Sequence, residues 1–324
     1  MLFRTEITPD KLPTLIQLTD RIVTVGSCFA AVMGERLAAN KLTVLNNPLG
    51  TLFNPVSIAK LLTASLSGET LNEAGYVLRD DLWFHYDAPS SFWANSRAEL
   101  ASTLAAQLQA VGEGLRQANW LLLTLGTSVV YQHREAGQIV ANCHKMPGTL
   151  FNKSLADLHP IRAELDGLIA VLCEHNPDLQ IVLTVSPVRH IRDGLVLNSA
   201  SKALLRVVCD ELTAVYPNVH YFPAYELVQD DLRDYRFYEA DLIHPNAQAH
   251  DYVFGKFADS AFSPDLRAFM AQWEPVQRAL AHRPLHGLTT AHQQFLQKIL
   301  RQLDALPLTI DTTAERAEVL RRLL

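Results

Sequence analysis

Residues 23–29 read V-T-V-G-S-C-F, and the fold follows from that stretch. Residues 21–25, R-I-V-T-V, are apolar and β-branched, which suits a strand buried on both faces of a parallel sheet. Gly26 then allows a tight turn, because it has no Cβ to forbid unusual dihedrals. From Phe29 the chain carries good helix formers with apolar residues at helical spacing, ending near Asn40. Ser27 and Cys28, both able to act as nucleophiles, therefore stand at the carboxyl end of a strand and the amino end of a helix. There the helix dipole favours a thiolate or an oxyanion. The blander alternative is a strand–helix junction that holds small residues.

Working outward, the same alternation repeats. Residues 42–45 form a short second strand that runs into N-N-P-L-G-T (46–51), a loop dense in turn residues. Asn54 and Pro55 predict an N-cap and first helical position, opening a helix to about residue 64. Residues 82–87 alternate and are rich in aromatics, so they are extended, and 97–118 form a long amphipathic helix. Residues 120–125 and 180–185 are further buried strands, and 219–222 the next. Ser154 is expected to cap a helix through residue 173, and Asn198 or Ser199 to open another to about residue 215. Residues 241–246 are a loop and 247–258 a helix. Strands alternating with long helices predict a doubly wound α/β fold, a parallel sheet with helices on both faces. Beyond residue 263 the pattern becomes helical, with Phe295, Ile299 and Leu303 on one face and Pro275, Pro284 and Pro307 as punctuation. The expected division is an α/β domain over 1–263 and a helical extension over 264–324, which packs on the core or on a second subunit.

Composition narrows the function. Of 324 residues, 48% are hydrophobic and 19% charged, as in ordinary globular proteins. A net charge of −6, without basic runs, argues against nucleic acid or an acidic membrane as the main partner. No apolar stretch approaches the roughly 18 residues of a membrane span, and the first residues lack the apolar core of a signal peptide. Four scattered cysteines with no C-x-x-C pair predict reduced thiols in a cytoplasmic protein, with no zinc site. No Walker or G-x-G-x-x-G loop, and no ligand cluster, calls for a nucleotide, metal or other cofactor.

In open α/β sheets ligands sit beyond the carboxyl ends of the strands. That rule gathers Ser27 and Cys28, the 46–51 loop, Gly126 to Ser128, Ser186 to His190, and the loop holding Asp241 and His244. A nucleophile needs a base, and the base an acceptor to orient it, which His244 and Asp241 can supply from one loop.

The pentapeptide G-S-C-F-A (26–30) resembles the signature of the GSCFA family, itself similar to the SGNH (GDSL-type) hydrolase superfamily. The segments N-N-P-L-G-T-L-F-N-P (46–55), L-G-T-S-V-V-Y (125–131), N-C-H-K (142–145), S-P-V-R-H (186–190), N-S-A-S-K (198–202) and D-Y-R-F-Y (234–238) also resemble that family, as does D-x-x-H at Asp241 and His244. The resemblance covers roughly residues 20 to 260. It implies an SGNH-hydrolase-like, flavodoxin-like three-layer fold and an acyl-enzyme mechanism. His244 would be the general base and Asp241 its orienting partner. Cys28 falls at the nucleophile position, and Ser27 where the superfamily has an aspartate. For the oxyanion hole the resemblance implies the nucleophile's N–H and Gly50; the third-block asparagine is missing, leaving Thr127 or Asn142 to donate instead.

His144, Lys145, Arg189 and His190 bring charge or donors towards the same rim and would suit an anionic or hydroxyl-rich substrate. Trp83, His85 and Trp93 offer an aromatic wall. The expected function is an acyl-ester hydrolase acting on an acylated carbohydrate or similar small ester. The alternatives are an O-acyltransferase with a cysteine nucleophile and a non-catalytic carbohydrate- or partner-binding module. The C-terminal helices are a candidate surface for a homo-oligomer.

Overall fold

A computed structural model describes residues 4–282, 289–307 and 310–323. In chain order the elements are β1 (Arg21–Gly26), α1 (Cys28–Ala39), β2 (Thr43–Thr51), α2 (Pro55–Ser67), β3 (Tyr76–Arg79), β4 (Leu82–His85), α3 (Arg97–Gln117), β5 (Trp120–Leu125), β6 (Val129–His133), β7 (Ile139–Val140), β8 (Phe151–Leu155), α4 (Leu158–His175), β9 (Gln180–Val185), α5 (Leu195–Val215), β10 (Val219–Tyr221), the short α6 (Ala224–Glu226), α7 (Ala247–Ala261), α8 (Pro264–Ala281), α9 (Thr290–Asp304) and α10 (Thr313–Leu323).

The central sheet has five parallel strands in the order β10-β9-β5-β1-β2. From β1 the chain moves one way to β2, then returns past β1 to β5 and continues outward. The strand order therefore reverses between β1 and β5, where a doubly wound sheet opens a crevice at its carboxyl edge. Beyond Arg21, β1 and β5 are buried on both faces, as their largely apolar runs, interrupted by Thr24 and Thr124, require. Val23, Leu121 and Leu123 point into a core shared with α2, α3, α4 and α5. Ile22, Trp120 and Leu122 point into a second core, closed by α1 and α7.

Four expectations need correction. Residues 46–51 are part of β2 rather than a loop. Their polar side chains bond sideways to β1: Thr24 Oγ1 donates to Asn46 Oδ1 at 2.9 Å, and Gly26 N–H to Asn47 Oδ1 at 3.0 Å. The register shifts between Thr24 and Gly26 to absorb the irregularity. Ser154 lies in β8 opposite Val130, in a small antiparallel sheet, and α4 begins only after Asp157. α5 starts at Leu195 behind Gly194, earlier than Asn198. Pro275 lies inside α8 rather than ending it, whereas Pro307 follows α9, and Pro284 lies outside the described residues.

The C-terminal helices close the second core. Leu296, Ile299, Leu303 and Val319 are buried there beside α1 and α7, with Phe295 partly buried at its edge. Trp273 of α8 donates its indole N–H to the carbonyl of Ala39 at 2.8 Å, and Lys41 pairs with Glu315 at 2.6 Å. Trp273 is 2% exposed and stacks on Phe269. Its replacement by alanine removes a large buried ring and leaves a cavity, so Trp273→Ala should cost about 3–5 kcal/mol in urea unfolding. A loss under about 1 kcal/mol would mean that α8 contributes little to the core.

Candidate active site

The turn between β1 and α1 is shaped by a close approach. Gly26 has φ +136°, and a Cβ there would lie 2.1 Å from the carbonyl oxygen of Thr124 on β5. No other residue fits. Ser27 N–H then donates to that same carbonyl at 3.1 Å. Ser27 is 1% exposed and is the N-cap of α1, its Oγ accepting from Phe29 N–H at 3.3 Å. That position suits a cap, and its hydroxyl is turned inward to the backbone. Cys28 is the first residue of α1 and is half-buried.

A helix amino terminus by itself favours a readily ionised thiol at Cys28; the surroundings give the opposite net direction. Burial pushes the Cys28 thiol above its ordinary value, against the N–H groups of Phe29 and Cys28 and the charge of Lys202, which favour the thiolate.

Lys202 is the residue that sequence reasoning passed over as a participant. It lies on α5, 2% exposed, and its ammonium donates to the carbonyls of Gly126 and Ser186, each at 2.6 Å. Those carbonyls cap the carboxyl ends of β5 and β9, beside the turn that carries Cys28. Burial draws the Lys202 pKa down to about 7, while the neighbouring Cys28 draws it up. A signal existed: Asn198, Ser201, Leu205, Val208 and Leu212 mark the buried face of α5, and Lys202 falls on that face.

Asp241 and His244 are held as a pair. His244 Nδ1 lies 2.7 Å from Asp241 Oδ2, while Asp241 Oδ1 accepts from the N–H groups of Ile243 (2.9 Å) and His244 (3.0 Å). These bonds lower the Asp241 carboxyl to about 2, the contact with His244 first among them, so it stays ionised at any working pH. Leu242 takes a left-handed φ of +59° to close this loop. The loop is tied to the sheet's carboxyl edge by Arg189 N–H, which donates to Ile243 O at 3.3 Å. The next helix, α7, brings the His250 ring within 6.0 Å of the Phe29 ring, next to Cys28. No hydrogen bond joins His244 to Cys28.

The remaining expected residues divide. Gly50 has φ +71° and packs against Pro89 and Ser91, each 2.9 Å from where a Cβ would stand. Thr127 is turned away from the role of a free donor. Its Oγ1 lies 2.9 Å from Ser201 Oγ and accepts from Val129 N–H, while its own N–H donates to Phe53 O. His144 is not at the rim: it is 3% exposed, stacked on Phe84, with Nε2 2.8 Å from His85 O. Arg189 is packed over the rings of Tyr238 (4.2 Å) and Tyr235 (5.1 Å), bracing the Asp241–His244 loop. Asn142, Lys145 and His190 line a cavity of about 560 Å³ beside Phe53. Of the aromatic wall, His85 is fully buried and paired through Nε2 with Asn72 O. Among the described residues no helix is long and apolar enough to cross a membrane, and no cluster of three acidic, histidine or cysteine side chains could hold a metal.

A model described as the GSCFA family matches residues 21–257, and one described as GSCFA domain protein, C-terminal domain, matches residues 273–324. The chain belongs to the GSCFA family. A search among curated proteins finds no match. Similar solved structures include an acetyl esterase mutant with acetate ion, at 9% identity and TM-score 0.38, aligned over 78% of this chain and 99% of that one. A family 3 carbohydrate esterase from Talaromyces cellulolyticus (7%, TM-score 0.36) and another from Clostridium thermocellum (11%, TM-score 0.35) align over the same shares. Likeness this distant carries no argument about the reaction.

The environment of Cys28 has a measurable consequence. Alkylation of Cys28 by iodoacetamide, followed by peptide mass spectrometry, should be slower at pH 7 than that of free cysteine. Its midpoint should lie above the ordinary thiol value, and Lys202→Met should move it higher still. A wild-type midpoint at or below that of free cysteine would contradict the dominance of burial.

Proposed function

We propose that this protein is an acyl-ester hydrolase that works through an acyl-enzyme on Cys28, with His244 as general base and Asp241 as its orienting acid. The observation that carries the reading is the Asp241–His244 pair, with Nδ1 held at 2.7 Å on a loop bonded to the sheet's carboxyl edge. A carboxylate on Nδ1 fixes the tautomer and leaves Nε2 to take a proton.

Cys28 Sγ attacks the ester carbonyl as its proton passes to His244 Nε2. The oxyanion is met by the Cys28 and Gly50 N–H groups, and donors so placed are typically worth about 3–4 kcal/mol each. Collapse expels the alcohol, which takes the proton from His244. Water, deprotonated by His244, then releases the acid from the thioester. Because the Cys28 thiol is raised rather than pre-ionised, it depends on the base much as a serine would. Lys202 and the start of α1 support the thiolate as it forms. An O-acyltransferase shares the first half of this path and differs only in the acceptor. The expected substrate is an acylated carbohydrate or similar small ester.

A non-catalytic binding module is the second reading, favoured by the missing Cys28–His244 hydrogen bond. Catalytic bonds often tighten only with substrate in place, which limits its weight.

Hydrolysis of p-nitrophenyl acetate separates the readings. His244→Ala should lower kcat/KM by about 10²–10⁴-fold. Ser27→Ala should cost about 1 kcal/mol of stability as a lost cap while keeping most activity. Turnover of the His244 variant within twofold of wild type, also with a longer-chain ester, would overturn the proposal.

A further inference from the structure

The 560 Å³ cavity has a charge pattern at odds with the acidic chain around it. Lys145, Lys153 and Arg192 line it beside His190, whose imidazole burial holds towards the neutral form, and no acidic residue does, although the chain carries a net charge of −6. One carboxylate lies behind the wall: Asp193 pairs with Lys153 and sits 3.5 Å from His190 Nδ1. Lys145 and Arg192 enter no ion pair among the described residues. Burial pushes the Cys143 thiol on the same wall up, and the charge of Arg192 opposes that shift. Two cations without ion-pair partners in one concave site form a receptor for an anion.

The site is built rather than loose. Lys145 and His144 both hold left-handed backbones, φ +56° and +47°, a strain that persists only where the surroundings impose it. Those surroundings are the stack of His144 on Phe84 and the bond from Arg79 Nη1 to His144 O at 2.9 Å. Asn142 Oδ1 accepts from His144 N–H at 2.8 Å, which identifies the other end of the amide as its donor nitrogen. That nitrogen has no partner among the described residues. The same cavity is lined by Phe53, 48% exposed, and by Tyr131, over which the Lys153 ammonium lies at 5.3 Å. An exposed phenylalanine at the mouth of a cationic cavity offers a flat apolar face to the body of a ligand. Phe53 also accepts through its carbonyl from the N–H groups of Gly126 and Thr127, at the end of β5. The cavity therefore adjoins the strand ends where Cys28 stands.

We propose that this cavity binds the oxyanion of a small organic acid, a carboxylate or a phosphate, whose body rests on Phe53 and Tyr131. Lys145, Arg192 and the Asn142 amide hold the anion. It rests on the proposed acyl-enzyme chemistry only in calling that ligand the substrate, which is then an acidic ester; binding itself does not depend on it.

Isothermal titration calorimetry on the 324-residue chain carrying Cys28→Ala tests it, with glucuronate, glucose 6-phosphate, inorganic phosphate and neutral glucose as probes. At least one anionic sugar should bind about tenfold or more tightly than glucose, since hydrogen bonds to charged groups are worth that much. A preference for glucuronate assigns a carboxylate, and one for either phosphate assigns a phosphate. Arg192→Gln and Lys145→Gln should each weaken binding about tenfold, and added salt should weaken it further. Lys298→Gln, on remote α9, should change nothing. The proposal is overturned if glucose binds as well as the anions, if no anion binds at millimolar concentration, or if the double variant Lys145→Gln/Arg192→Gln binds as wild type does. Failure here alongside an acyl adduct on Cys28 would sink only the anion site. Anion binding without any adduct would sink only the acyl-enzyme.

Discussion

The contact between Gly26 and the Thr124 carbonyl fixes the turn that carries Ser27 and Cys28 at the sheet's carboxyl edge. Two neighbouring parallel strands, β1 and β5, come so close there that a single methyl group would stand 2.1 Å from an oxygen. The chain can leave β1 only through a left-handed glycine, and the next residue must cap a helix. Ser27 does so, and Cys28 follows as the helix begins. The place of Cys28 is thus a result of backbone sterics, before any chemistry is considered. Because the strand order reverses between these two strands, that turn also faces the one crevice that a doubly wound sheet leaves open.

A second constraint reinforces the first from below. The carbonyls of Gly126 and Ser186 end β5 and β9 in a region closed to water, and one buried ammonium satisfies both. An apolar side chain at position 202 would leave two acceptors unpaired, each at a cost of about 1–3 kcal/mol. A neutral polar one could satisfy them but would withdraw the positive charge beside Cys28. Lys202 therefore links the stability of the strand ends to the ionisation of the thiol. The Asp241–His244 loop comes from a separate part of the chain and is braced by the backbone of Arg189 and by its guanidinium on Tyr235 and Tyr238.

Much of this was legible in the sequence because it depends on local chemistry. β1, β5 and β9 announce themselves as largely apolar, β-branched or leucine-rich runs, and Asn54–Pro55 reads as a helix start and is one. What escaped depends on distant partners. The N-N-P-L-G-T stretch has the composition of a loop, yet Asn46 and Asn47 spend their side chains on β1 and keep the segment in the sheet. Ser154 looks like a cap but pairs in register with a strand some two dozen residues earlier. His144 reads as a rim residue, but the Phe84 ring and the His85 carbonyl, distant in sequence, hold it buried. Lys202 was visible as a charge on an apolar helix face, but its two acceptors come from different strands and no local pattern names them. The balance at Cys28 was equally hidden: a helix terminus can be read from sequence, while the depth of burial that outweighs it cannot.

The central claim is that Cys28, served by His244, carries an acyl group. Rapid acid quench after mixing with p-nitrophenyl acetate, followed by intact-protein and peptide mass spectrometry, tests it most directly on wild type, Cys28→Ala, Ser27→Ala and His244→Ala. An acetyl adduct is expected on Cys28, retained in Ser27→Ala and lost in the other two variants. An adduct on Ser27 that survives Cys28→Ala would contradict it.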